Sequence, residues 1–421
     1  MDEETILSWI AKVKEDGHFV NIALEEVTIT PSIAAAMISL FRTTARYGRI
    51  FERLTIEFCD GYGVDLIVTA ALMMDGIKSL FLAMDQPRDE IISRLATTLR
   101  INTSLLSLWL LVPLTEISAM ALADALRENE ILEKLSLSGC NFDKPDDEDD
   151  DDDTEGRHKS SDMASLDTAD VTFFSPMETA AALSEGLREN ATLQTVDFSC
   201  CYLEDDALSV LVQSLVGHPS LCTLDISRNS GRQQTMRALA DVVGMDSTPL
   251  QCLDVREQSD KMPLEISPFS IAMQANQSIQ TLRLSHNQLT DGHIIQLIDN
   301  LQGNKVIHEL DLQYNQITEE GLNHLMERLD GMKSLEVLLL GGNAFGEEGQ
   351  TMLAKLQDDD ESVCTIGGTK ALNNKKTRNK QSSGSVKQSS PRKQKMTSGF
   401  AGFSGFVGKG RDSKTSEEGS S

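Results

Sequence analysis

Seven cysteines and seven histidines are the residues of this 421-residue chain best suited to metal, redox or nucleophilic chemistry. Their spacing supports none of it. Cys200 and Cys201 are adjacent, and no CxxC pair accompanies them to complete a tetrahedral zinc site. Cys59, Cys140 and Cys201 stand whole repeat lengths apart, and Cys200, Cys222 and Cys252 fall on exposed strand positions. The expectation is therefore free thiols, an odd count in a reducing compartment. His286 and His308 fall on strand faces, and His218 and His293 in or beside helices. No HExxH and no Ser or Cys nucleophile motif surrounds them. The chain also lacks GxxxxGK[ST] and a post-strand GxGxxG, so no cofactor is expected.

Carboxylates are the other reactive class. Asp143 to Glu155 holds ten acidic residues and one lysine, a density that could attract calcium. Nothing there matches the D-x-D-x-D-G loop with its closing glutamate, so a solvated, self-repelling insertion is the favoured reading.

The elements that would carry these residues are written in "VIHELDLQYNQITEEGLNHLMERL", Val306 to Leu329. Ile307, Leu310, Leu312, Asn315 and Ile317 fit LxxLxLxxNxL, a short strand whose central leucines share a face, followed by a turn. Leu322, Leu325, Met326 and Leu329 then recur at helical spacing. One such strand, loop and helix cannot bury its own apolar face, but a stack can. The same template starts at Leu193, Leu221, Leu250, Ile279, Ile307 and Leu335, and upstream at Ile77, Leu105 and Leu132. Weaker copies near Phe19 and Phe51 bring the total to about ten. In other units the asparagine position holds Asp85, Pro113, Cys140, Cys201 or Gln258, so the turn is less regular in the first half.

"LQTVDFSCCYL", "LCTLDISRN", "IQTLRLSHNQL", "IHELDLQYNQI" and "LEVLLLGGNAF" resemble the leucine-rich repeat family, specifically its ribonuclease-inhibitor-like class, over roughly residues 19–357. The resemblance implies an α/β fold: a curved solenoid with parallel strands on the concave face and helices on the convex face. It says less about function, because the class includes inhibitors, immune-receptor sensors, actin regulators and the Ran GTPase-activating protein. The boundaries expected are an amino-terminal capping helix at 1–18, a repeat domain at 19–364 with an acidic insertion at about 143–175, and a basic tail at 365–421.

Charge separates these regions. The segment after Thr365 carries twelve Lys or Arg against three acids, whereas the whole chain has a net charge of -27. An acidic repeat domain disfavours nucleic acid as its partner, since phosphate neutralisation needs a basic surface. "KKTR" at Lys375 to Arg378 and "PRKQK" at Pro391 to Lys395 resemble nuclear-localisation clusters read by importins, with generic basic disorder as the alternative. Phe400, Phe403 and Phe406, spaced three apart, suit a linear motif or a plain chain end. The opposite charges of insertion and tail predict a loose, salt-screened attraction. "MDEETILSWIAKVKEDG" opens acidic and amphipathic, so no secretory leader is expected, and no apolar run approaches the roughly 18 residues of a membrane span. Cytoplasm or nucleus is the expected location.

Two functions remain: a non-enzymatic scaffold gripping a protein on its concave face, or a Ran-type GTPase-activating protein. Outward positions from Leu193 onward are mostly polar, including an aspartate column Asp197, Asp225, Asp254 and Asp311 interrupted by Arg283. That arginine is expected between Asp254 and Asp311. In the repeats from Phe51, Ile77 and Leu105 the corresponding residues are Phe58, Phe81, Met84, Leu106, Trp109, Leu111 and Val112. They predict an apolar, aromatic patch that would hold the partner. Two alternatives stay open: "SLLSLWLLVPL" is out of register, or the helix containing Trp9 covers the patch.

Overall fold

A computed structural model of the protein describes residues 2–16, 21–46, 51–61, 63–142, 175–245, 249–258, 262–358 and 365–367. The acidic insertion, both basic clusters, the spaced phenylalanines and the attraction between insertion and tail lie outside the described residues.

Apolar residues at strand spacing build twelve strands among the described residues. They are β1 (Asn21–Glu25), β2 (Phe51–Glu57), β3 (Ile77–Ala83), β4 (Ser107–Leu111), β5 (Lys134–Ser136) and β6 (Thr195–Asp197), followed by β7 (Thr223–Asp225), β8 (Cys252–Asp254), β9 (Thr281–Arg283), β10 (Glu309–Asp311), β11 (Val337–Leu339) and β12 (Thr365–Gly367). Twelve helices accompany them: α1 (Glu3–Asp16), α2 (Pro31–Arg46), α3 (Val64–Met73), α4 (Asp89–Leu99), α5 (Glu116–Glu128), α6 (Pro176–Glu189), α7 (Asp205–Gln213), α8 (Gln233–Val243), α9 (Ser267–Met273), α10 (Asp291–Asn300), α11 (Glu319–Arg328) and α12 (Glu347–Asp358). Each strand pairs in parallel with its successor, making one open sheet in strict chain order. This is the curved α/β solenoid that the repeats predict, with strands inside and helices outside. Leu54, Leu80, Leu108, Leu135, Val196, Leu224, Leu253, Leu282, Leu310 and Leu338 stack in register beneath the sheet. All are buried and form one continuous core layer.

Two polar ladders tie unit to unit. In the turn after β7, Asn229 Nδ2 donates to the carbonyls of Phe198, at 2.8 Å, and Ile226, at 2.9 Å. Its Oδ1 accepts from the backbone N–H groups of Cys201 and Leu203, both at 3.1 Å. Asn287, Asn315 and Asn343 make equivalent bonds to the preceding unit, and Gln258 does so with its longer amide. Where cysteine replaces asparagine the thiol substitutes in part: Cys59, Cys140 and Cys201 reach the carbonyls of Leu24, Leu110 and Leu137 at 3.3, 3.2 and 3.0 Å. Burial pushes the Cys140 thiol up to about 12, so it stays a neutral donor. The six described cysteines are free.

The second ladder lies at the other end of each strand, three residues before the first core position. Asn102, Asn129 and Asn190 each donate at 2.7 Å to a carbonyl of the preceding helix, Leu72, Leu99 and Leu126. Their Oδ1 atoms accept from the N–H of Leu105, Leu132 and Leu193. These buried amides answer carbonyls that a helix end otherwise leaves unpaired.

The stack continues from residue 142 to residue 175. Lys134 of β5 still pairs with Thr195 of β6, and α6 packs directly on α5. Gly186 makes that approach possible, because a Cβ there would stand 2.3 Å from the Ala123 carbonyl oxygen and 2.4 Å from the Ala123 Cα.

Candidate functional site

The outward face of the sheet is ordered in rows, because parallel strands in register place like positions side by side. One row runs Ala23, Thr55, Phe81, Trp109, Ser136, Asp197, Asp225, Asp254, Arg283 and Asp311. Trp109 is therefore in register with Phe81, which removes the slipped alternative for this strand. Both side chains are half-buried. Arg53, one row toward the strand starts, lies with its guanidinium carbon 5.5 Å from the centroid of the Trp109 ring, a cation–π placement. Leu111, next to Ala83 in the following row, and Leu106 are half-buried, and Phe58 is 38% exposed.

Met84 and Val112 correct the sequence expectation: they are buried, at 7% and 1% exposure, and belong to the core. The cause is turn chemistry. In most units the eighth template position has positive φ, as in Phe58 (49°), Arg228 (57°), His286 (60°), Tyr314 (51°) and Gly139 (76°), and this throws the side chain outward. Met84 and Val112 are not among the positive-φ residues. Their units carry Asp85 and Pro113 where others have Asn, Cys or Gln to stabilise the turn, and without the left-handed residue the side chain at position eight turns inward.

The helix α1 packs on α2 at the start of the stack. Its Ile6, Ile10 and Val13 join the core, and Trp9 lines an opening beside Ala23 and Glu25 of the edge strand.

Toward the other end the face is charged. Arg256 grips Asp254 with Nε at 2.8 and 2.9 Å from the two carboxylate oxygens and Nη2 at 2.6 Å. Arg228 pairs with Glu257 at 3.1 Å. Arg283 lies 3.8 Å from Asp254 and 3.0 Å from Glu309, so its second partner is Glu309 and not Asp311. Asp311 instead accepts from Ser285 Oγ at 3.0 Å and from the Gln313 N–H, which withdraws it from the arginine. Asp197 accepts from Ser136 Oγ at 2.8 Å and from the Ser199 N–H, and Asp225 from the Ser227 N–H. Neither forms an ion pair among the described residues. The Asp225 carboxyl is pushed up to about 6, first by burial and then by the charge of Asp254 and of Asp197. His286 stacks on Tyr314, with ring centroids 4.3 Å apart and planes 16° apart.

Among the described residues no group of three or more His, Cys, Asp or Glu side chains is placed to hold a metal ion, and no helix is long and apolar enough to cross a membrane. Sequence reasoning missed Arg53, although its outward position is readable from the template, and it missed the second asparagine ladder.

None of the curated proteins matches this chain. Among solved structures, the TLR13–ssRNA13 complex is similar at a TM-score of 0.41 and 13% identity, over 76% of this chain and 36% of that one. The chain thus spans about a third of the length of that structure. The family model described as Leucine Rich repeat matches residues 275–292 and 303–326. Those residues hold β9, β10 and their turns, and the same ladder recurs on either side of them, so these units are leucine-rich repeats.

Proposed function

We propose that this protein is a non-enzymatic scaffold or adaptor that holds a protein partner on the concave face of its repeats. The observation that carries the reading is the Phe81 and Trp109 pair, in register on neighbouring strands and flanked by Arg53, Phe58, Leu106 and Leu111. Large apolar side chains left half-covered on a sheet face are a common anchor for protein association, and Trp and Arg are enriched among such anchors. The spacing of the repeats supports placing it in the ribonuclease-inhibitor-like class. The basic clusters at Lys375 to Arg378 and Pro391 to Lys395 support a second, importin-directed role for the tail and a location in cytoplasm or nucleus.

Photo-crosslinking in cells tests the scaffold role. A crosslinking amino acid at Thr55, beside Phe81, is compared with one at Met120 on α5, which is 55% exposed on the outer face. The expected result is a protein captured from Thr55 and not from Met120, and lost when Trp109→Ala is added. Identical captures from both positions would remove the concave face as the binding surface.

A further inference from the structure

The two halves of the concave face are not independent surfaces, because register puts Trp109 and the carboxylates Asp197 and Asp225 in a single row, with only Ser136 between them. Strands stand about 4.8 Å apart, so Asp197, two strands on, is about 10 Å from Trp109, and Asp225 about 14 Å. A polyproline II segment repeats every three residues with a rise of about 3.1 Å, so side chains three apart share a side at a spacing of about 9 Å. The match is between a chain laid across the strands and the face beneath it.

Charge decides what the second residue is. The arginines of this face are spent on their own carboxylates: Arg256 on Asp254, Arg228 on Glu257 and Arg283 on Glu309. Asp197 and Asp225 have only hydroxyl and backbone N–H donors among the described residues. The cations nearest to the aromatic pair, Arg53 and Lys134, stand one row away toward the strand starts, so the row itself carries negative charge alone as far as Asp254. The raised Asp225 carboxyl reports the same imbalance.

We propose that the concave face takes a polyproline II-like segment of a partner protein, with a large apolar residue seated on Phe81 and Trp109. A lysine or arginine three residues farther along shares the anchor's side and lies against Asp197, and the long side chain of the basic residue after it bends back toward Asp225. The inference rests on the scaffold reading and narrows it to a partner chemistry, an apolar anchor followed by a basic pair.

The test uses the full chain with Trp9→Phe, which leaves Trp109 as the one tryptophan of the two and makes its emission the signal. The probe is the peptide acetyl-SGPLPPKKGS-amide, with acetyl-SGPLPPEEGS-amide as the charge control and acetyl-SGPGPPKKGS-amide as the anchor control. The expected result is saturable binding of the first peptide, with both controls weaker by about tenfold or more. Asp197→Asn with Asp225→Asn should weaken the first peptide by about tenfold and erase its advantage over the glutamate control, with the melting temperature maintained or raised. Equal binding of the lysine and glutamate peptides overturns the proposal. So does undiminished binding by the double variant, or no Trp109 response at millimolar peptide. A Trp109 response to protein concentration alone assigns the face to a second copy and also overturns it. A partner crosslinked at Thr55 that ignores the double variant sinks this inference while the scaffold reading survives.

Discussion

The strands β2 to β4 and the strands β6 to β10 are built on one template and present opposite surfaces. The first group runs five to seven residues per strand and shows Thr55, Phe81 and Trp109 along its middle row. The second has three-residue strands and shows carboxylates with an arginine among them. The difference shows that the residue at the turn sets more than the turn. In the second group Asn, Cys or Gln at position nine follows a left-handed residue, so position eight faces outward. Where Asp85 or Pro113 stands there, position eight is not left-handed and Met84 or Val112 joins the core.

Removing the asparagine amide at that turn should give the largest effect. Asn229→Ala strips four backbone groups of their partner and should cost about 3 kcal/mol or more in urea melts. Cys140→Ala, which loses one thiol bond to Leu110, should cost about 1 kcal/mol. Equal losses would mean that the thiol holds the turn as firmly as the amide does. Next comes Trp109→Ala, with an expected loss of about 1 to 2 kcal/mol for a half-buried ring. A loss of about 4 kcal/mol would place the ring in the core and end its candidacy as an anchor.

The pH response of the charged half sharpens the contrast. The Asp225 carboxyl has a folded pKa of about 6 against an ordinary 3.8, so the native state holds this proton more tightly than the unfolded chain. Its contribution is most favourable below 3.8 and is lost as pH rises through about 6. Asp225→Asn should therefore raise stability by about 1 kcal/mol above pH 6 and leave it unchanged near pH 3, as read by denaturant melts across that range. A gain that persists at pH 3 would assign the effect to packing. The smallest effect belongs to Arg283→Ala, about 1 kcal/mol or less, because the guanidinium is one-third exposed and its pairs are screened. A larger loss would mean that the arginine is structural.

Much of this was legible in the sequence for a physical reason. Leucines at template positions one, four and six must face inward if the strands are parallel and in register, so Leu224, Leu253, Leu282 and Leu310 fall where spacing puts them. The aspartate column and the neighbouring places of Phe81 and Trp109 follow from the same register. Position eight was not legible from period alone, because it depends on backbone handedness, which Asp85 and Pro113 signal only once the role of the asparagine amide is known. Arg53 over Trp109 spans two strands, and Arg283 prefers Glu309 because Ser285 occupies Asp311. Both depend on side-chain reach, which a template does not encode. The helix-end asparagines were written plainly in "REN" before Leu132 and Leu193, but their partners are carbonyls of another unit and have no sequence signature of their own.

The close seating of Gly186 on Ala123 has a consequence for how the molecule could be divided. Residues on either side of 143–174 meet directly: Gly186 seats on Ala123, Asn190 reaches Leu126 and β5 pairs with β6. Doubling a connecting chain costs only about 0.6 kcal/mol in closure entropy. Two separately expressed fragments, ending at Phe142 and starting at Ser175, should find each other at sufficient concentration and rebuild the sheet, because the contact between α5 and α6 offsets the cost of association, with Gly186 as the keyway. Gly186→Leu should abolish that reassembly.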